Sequence, residues 1–267
     1  MQPSQIRLLI LVAVAFLLLS GSRTIAGLVI EYQWWQELQQ LQTWYSMLAY
    51  QVLPAAAGSL LAWLMLLWAH SRGVQMTNAP EAKARLYSRL VALGLLVMAV
   101  AFIGSSIDSH TVMAYVGSQS IQLPADAWND PVFGHGLPFY LFDLPFYSLL
   151  LRFVLTTAIF SILIFWITGR GWQIFERLRL FRAGGGRVEE FDPGPNPLLL
   201  PGATRTSFAR TLGAIALVAL AAYFFLGRYG LLMNNHAFMT GMDWLDENVS
   251  LPLRWVVIAA ALAAIPL

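Results

Sequence analysis

From Met47 to Trp68, and again from Leu90 to Ile107, the chain carries no Asp, Glu, Lys or Arg. A helix crosses the hydrocarbon of a bilayer with about 20 mostly apolar residues at a rise of about 1.5 Å each, so both stretches have the length of a membrane span. Two more follow: Phe146 to Thr168, interrupted only by Arg152, and Leu212 to Leu226. Overall, 58% of the 267 residues are hydrophobic types and 11% are charged. Soluble domains are roughly 25% charged, so too few charges are present to coat a water-soluble globule. The same figures exclude disorder, which is apolar-poor and charge-rich. With no cysteine in the chain, disulfide frameworks, thiolate catalysis, iron–sulfur clusters and Cys-ligated zinc are excluded as well. The fold class that follows is all-α, a polytopic transmembrane helical bundle of five to six spans with interfacial amphipathic helices.

Residues 1–267 read as a single transmembrane domain, with spans near 6–28, 47–68, 90–107, 146–168 and 212–226 and a partial span at 253–267. Ile6–Leu19 followed by Ser20-Gly21-Ser22 has the outline of a cleavable signal. Arg23 directly after the small residues, and the second apolar stretch soon afterwards, favour a retained first span instead. Arg7 and Arg23 lie about 24 Å apart on a helix, so each can reach an opposite interface. Leu253 to Leu267 falls short of a crossing, so this helix is expected to be tucked between neighbours or to belong to a longer chain.

Basic residues set the expected orientation. With the N-terminus inside, 12 of the 16 Lys and Arg fall on cytoplasmic segments, chiefly the 169–210 loop. The outer loops are then 29–46, 108–145 and 227–252. The net charge of +2 and pI near 9.0 are thereby explained by membrane topology, and no nucleic-acid partner is implied. Two segments read as helices lying on the membrane: Trp34–Leu48, amphipathic and rich in Trp and Tyr, and Trp172–Arg182, whose apolar face is ringed by Arg177, Arg179 and Arg182.

The most distinctive stretch is Asp130-Pro131-Val132-Phe133-Gly134-His135-Gly136-Leu137-Pro138-Phe139-Tyr140-Leu141-Phe142-Asp143. Asp130-Pro131 starts a turn, and Gly134 and Gly136 give the backbone freedom around His135. Phe139 to Phe142 is too aromatic for a solvated loop, and Asp143 is placed to cap the fourth long helix with Pro145 in its first turn. The candidate functional loop therefore comprises Asp130, Phe133, Gly134, His135, Phe139, Tyr140 and Asp143. It is expected to be ordered and to pack on the outer ends of the fourth and fifth spans or on the Trp34–Tyr45 helix. Asp130→Asn is expected to cost less than loss of Phe139 and Phe142 unless a cation or partner binds there.

This stretch resembles the large bacterial membrane proteins grouped as uncharacterised protein family 0182. Trp34-Trp35-Gln36-Glu37-Leu38 is similar to that family's Trp-rich outer segment. Arg228-Tyr229-Gly230-Leu231-Leu232, Gly241 and Leu251-Pro252-Leu253-Arg254 are similar to its region between the fifth and sixth spans. The resemblance implies an N-terminal membrane portion in a bacterial cytoplasmic (inner) membrane, continuing in relatives through another span into a large extracytoplasmic domain. One departure is Gly136, where the family usually has Asp. The family has no assigned activity, so the resemblance implies architecture and not chemistry.

Arg152 is the one formal charge well inside an expected span, a costly placement that marks a functional candidate, although an Arg about two turns deep can also snorkel. Asp108, His110, Asp126, Asp130 and His135 in one outer loop, with His236, Asp243, Asp246 and Glu247 in the next, could supply oxygen and nitrogen ligands. No standard ligand spacing is present, so no metal site, no catalytic residue and no cofactor is assigned. Ala55, Gly58, Ser59 and Ala62 form a small-residue patch suited to helix packing. The reading that follows is an inner-membrane anchoring or assembly module that organises outer-face segments or a partner domain. Its partners would be membrane lipids and either another protein or a C-terminal extracytoplasmic domain. The alternative is a transporter or channel component handling lipid or another apolar substrate, and an outer-leaflet enzyme ranks third.

Overall fold

The computed structural model describes residues 21–77, 85–120, 128–184, 207–236 and 240–265. Seven α-helices are present among them: α1 over 21–37, α2 (Leu41–Thr77), α3 (Arg85–Met98), α4 (Ser109–Ser118), α5 (Leu144–Ala183), α6 (Ser207–Gly230) and α7 (Leu251–Ala263). No strand longer than an isolated bridge occurs among the described residues. The chain divides into two units, Met1–Val52 and Leu53–Leu267.

In the first unit the expected Trp34–Leu48 surface helix is two helices. Gln39 takes a left-handed conformation at φ 56°, and its N–H and that of Gln40 donate to the carbonyls of Gln36 (3.0 Å) and Trp35 (3.0 Å). That pair of bonds closes a Schellman-type helix end at a residue that is not glycine, a position amphipathic periodicity does not register. Tyr32 and Trp44 meet edge-on across the break at 5.6 Å.

In the second unit, three small cores join the helices in the order α3, α2, α5, α6, α7. Ala62 and Leu66 of α2 pack on Leu95, Ala99 and Ile103. Ala69 of α2 packs with Ala158 and Phe165 of α5 and with Phe208 and Leu212 of α6. Ala221 of α6 meets Ile258 and Ala261 of α7. Small residues set the α2–α3 approach. A Cβ on Gly104 would lie 1.9 Å from Ser59 Oγ, and one on Gly58 would lie 2.0 Å from Ile107 Cδ1. The small-residue patch of α2 thus lies at a close approach of backbones, its expected use.

Opposite these cores the helices expose apolar side chains. Along the helical stretch Leu86–Ser106, Leu86, Leu90, Leu93, Val97 and Val100 recur at alternating four- and three-residue steps and are 51–71% exposed. A continuous apolar stripe of that kind has no place in water and suits lipid. Four helical stretches are long and apolar enough to cross a membrane: Leu41–Thr77, Leu86–Ser106, Phe139–Ala183 and Ser207–Met233. They overlie the second to fifth expected spans. Most of the expected first span lies outside the described residues, and α7, at 13 residues, is too short for a full crossing.

Two helices run further than expected. α2 has 37 residues and α5 has 40, about 55 and 60 Å at helical rise. The basic Trp172–Arg182 segment is therefore a continuation of α5 and not a separate surface helix. Only Gly169-Arg170-Gly171 separates it from the apolar stretch, and glycine weakens a helix by about 1 kcal/mol without breaking it. His70 of α2 ties into this end through Thr168 Oγ1 at 2.9 Å.

Candidate functional site

The loop before α5 folds around a carboxylate. The Asp130 N–H donates to the His135 carbonyl (2.8 Å), and the Gly134 N–H returns to the Asp130 carbonyl (3.0 Å). Asn129 and Gly136 form an antiparallel bridge, and Gly134 sits at φ +75°, where glycine avoids the Cβ penalty. Inside this ring, Asp130 Oδ1 accepts from the N–H groups of Val132 (2.9 Å) and Phe133 (2.7 Å). Oδ2 accepts from the His135 N–H (2.8 Å) and the Tyr140 hydroxyl (2.7 Å). Asp130 is 5% and Tyr140 6% exposed.

Burial by itself would raise the Asp130 carboxyl. The four donors (Phe133, Tyr140, His135 and Val132) outweigh it and hold the pKa at about 2. The carboxylate is ionised throughout the physiological range, with both oxygens doubly engaged. It has no lone pair left for a cation and no basicity left for proton transfer.

Tyr140 reaches Asp130 from a wide π-type turn, Phe139–Asp143, that leads directly into α5. Pro138 stands at the start of that turn, where its missing N–H is harmless. Here the structure corrects the reading of Asp143. Its backbone is already helical (φ −72°, ψ −49°), and its side chain makes no capping bond. The helix begins a turn earlier than the sequence suggests, so no free N–H groups remain at that position for a cap.

The loop is docked by aromatic rings. His135 stacks on Phe139 at 4.1 Å, and Tyr229 near the end of α6 meets Phe133, His135 and Phe139 edge-on at 4.9, 5.1 and 5.1 Å. Tyr229 drew attention in the sequence only as part of a family-like stretch; the aromatic richness of the loop implied a packing partner without identifying it. Beside it, the Arg228 guanidinium lies 3.9 Å over Phe225 and 4.6 Å over Trp255 of α7. Arg254 of α7 donates back to the Gly227 carbonyl. Loop, α6 and α7 thus form one ordered platform at this end of the bundle. Val132, Leu137 and Leu141 remain exposed on it.

Arg152, on α5, lines a cavity of ≈ 750 Å³ together with Asp108, Thr111, Tyr140, Thr156 and Tyr223. Its guanidinium lies 5.8 Å from the Tyr223 ring centre. Asp108 is committed to the start of α4, where it accepts from the His110 and Thr111 N–H groups and the Thr111 hydroxyl, and the Thr111 hydroxyl bond holds its carboxyl low.

The remaining expected ligands separate. Asp126 lies outside the described residues, and Asp108 and Asp130 are consumed locally. Beyond α6, however, His236, Asp243 and Asp246 each offer an atom within 4.8 Å of the others. The Asp246 carboxyl is held low, first by the bond from Asn234 (2.9 Å).

The sequence pattern described as the uncharacterised protein family UPF0182 matches residues 8–266. A UPF0182 protein of Solibacter usitatus is 42% identical over 255 residues, covering 95% of this chain and 27% of the relative. UPF0182 proteins of Mycobacterium tuberculosis and Rhodococcus erythropolis are 27% and 28% identical, covering 97% of this chain and 26% of each relative. The chain thus spans about a quarter of the length of these curated relatives. No solved structure matches it.

Proposed function

The chain belongs to the uncharacterised protein family UPF0182, and on that premise we propose that this region is a membrane-embedded anchoring and assembly module. In this reading the bundle sits in the bacterial cytoplasmic membrane with its N-terminus inside. The platform around Asp130 then faces outward and organises extracytoplasmic segments or a partner domain. The observation that carries the reading is the Asp130 carboxylate, whose four hydrogen bonds are all spent on holding the platform together. A group intended for catalysis keeps a free lone pair or a tuned proton, whereas this one keeps neither and serves rigidity. The exposed Val132, Leu137 and Leu141 above it offer an apolar surface at that end.

Co-purification after gentle detergent extraction tests this. A stoichiometric polypeptide should stay bound to the wild-type protein and be lost from the Asp130→Asn variant. Its retention by a variant with a disordered platform would sink the reading.

A second reading, a component that handles lipid, has one observation in its favour: Arg152 lines a cavity of ≈ 750 Å³ within the span Phe139–Ala183. A cation at that depth favours an anionic headgroup over a neutral one. Mass spectrometry of co-extracted lipid would then show anionic species enriched on the wild type and depleted on Arg152→Leu.

A further inference from the structure

After α6 the chain makes a 3₁₀ turn, Leu231–Met233, and then doubles back. Asn235 and Thr240 form an antiparallel bridge, and Gly241, at φ +136°, donates its N–H to the Asn234 carbonyl (2.9 Å). The doubling-back brings His236 between two carboxylates that lie seven and ten residues further along. Its Nε2 is 3.3 Å from Asp246 Oδ2, and its Nδ1 is 3.6 Å from Asp243 Oδ2.

Three features of this trio go beyond an ion pair on a surface. First, His236 Nε2 is a buried atom without a hydrogen-bond partner, although a carboxylate oxygen stands 3.3 Å away. Asp243 stands on the Nδ1 side, so one ion would take one ring nitrogen, and one ligand atom from each of the three residues lies within 4.8 Å of the others. Around a cation with bonds of about 2.1 Å, adjacent ligand atoms lie about 3.0 Å apart in an octahedron and about 3.4 Å in a tetrahedron, and 3.3 Å falls within that range. Second, both carboxylates are fixed by hydrogen bonds from neighbouring groups. Asn234 Nδ2 donates to Asp246 Oδ2 (2.9 Å), and the Asp246 N–H donates to Asp243 Oδ1 (2.7 Å), which leaves Asp243 Oδ2 as the oxygen turned towards the histidine. Outer bonds that fix ligand orientation are characteristic of metal sites. Third, Asp246 is 7% exposed, a burial that an anion tolerates best beside a compensating charge.

We propose that His236, Asp243 and Asp246 bind a first-row divalent cation of the Zn²⁺ or Mn²⁺ type. One imidazole nitrogen and two carboxylates suit such an ion better than Mg²⁺ or Ca²⁺, which prefer all-oxygen sets. Three protein ligands leave at least one position for water, so the bound ion would present an exchangeable site beside the platform-bearing end of α6. Its role would be to fix the α6–α7 connection, with the open position available to an anionic group of a partner.

Equilibrium binding of Zn²⁺ and Mn²⁺ to the purified, chelator-treated chain tests this. One equivalent should bind, accompanied by a rise in the thermal midpoint, and Mg²⁺ at the same concentration should not compete. His236→Ala and Asp243→Asn should each weaken binding at least tenfold. Asp243→Asn retains an oxygen to accept from the Asp246 N–H, so it separates ligation from folding. Glu247→Gln, next door but outside the trio, should bind like the wild type. Unchanged binding in Asp243→Asn, or no binding by the folded wild type, would overturn the proposal. So would stabilisation through His236 that appears only in acid and needs no metal, because the trio would then be a protonated histidine paired with two carboxylates.

Discussion

Asp130 illustrates how far a single residue can be read from sequence. The Asp-Pro start and the two glycines indicate a turn, and the structure contains one. The sequence does not show that both carboxylate oxygens are filled, because Tyr140 reaches back ten residues from a π-type turn that no periodicity announces. Asp130→Asn is therefore costly in its own right. Asn would keep one acceptor oxygen but turn an NH2 towards the His135 N–H and the Tyr140 hydroxyl, at a cost of about 2–3 kcal/mol. Phe142 is only half-buried, so Phe142→Ser should cost no more than that. Thermal unfolding in detergent ranks the two. Tyr140→Phe removes one charge-assisted bond and should cost about 2 kcal/mol by the same measurement. The pH dependence has a definite sign. Asp130 titrates at about 2 in the fold against 3.8 ordinarily, so its contribution is complete above about pH 4 and drains away as pH falls towards 2. Tyr140→Phe should raise the acid midpoint of unfolding.

At the scale of elements, apolar runs with at most one charge located four long helices, because in lipid the length of an apolar helix is set by bilayer thickness. Their ends were harder to place. The α1–α2 break depends on Gln39 in a left-handed conformation, and α5 runs through residues whose amphipathic pattern suggested a separate helix. Gln39→Gly should stabilise the break by about 1 kcal/mol, since a Cβ is penalised there, and a higher thermal midpoint would register it. The small-residue contact between α2 and α3 makes a sharper contrast. Gly104→Ala places a methyl against Ser59, whose hydroxyl is already bonded to the Ala55 carbonyl at 2.7 Å. It should cost about 1–3 kcal/mol. Gly94→Ala, in the same helical stretch Leu86–Ser106 with nothing within 4 Å, should be neutral or slightly stabilising. Equal effects of the two substitutions would mean that α2 and α3 do not approach closely at Gly104.

For the whole molecule, the sequence carries a helical bundle because hydropathy alone separates lipid-facing from aqueous segments. It carries less about the platform, which depends on contacts between the loop and Tyr229, roughly ninety residues apart in the chain. The His236 trio spans only ten residues, but its irregular spacing carries no ligand signature until the chain doubles back. In the proposed arrangement the ordered platform is presented on the extracytoplasmic side, opposite the basic end of α5. The chain has no cysteine, so any introduced thiol is unique. Val132→Cys keeps the N–H that Asp130 accepts and exposes its side chain, whereas Ser71→Cys marks the opposite end of α2. In intact cells, a membrane-impermeant maleimide should label position 132 and leave position 71 unmodified until the membrane is opened. Labelling of position 71 from outside, with position 132 protected until permeabilisation, would contradict the account.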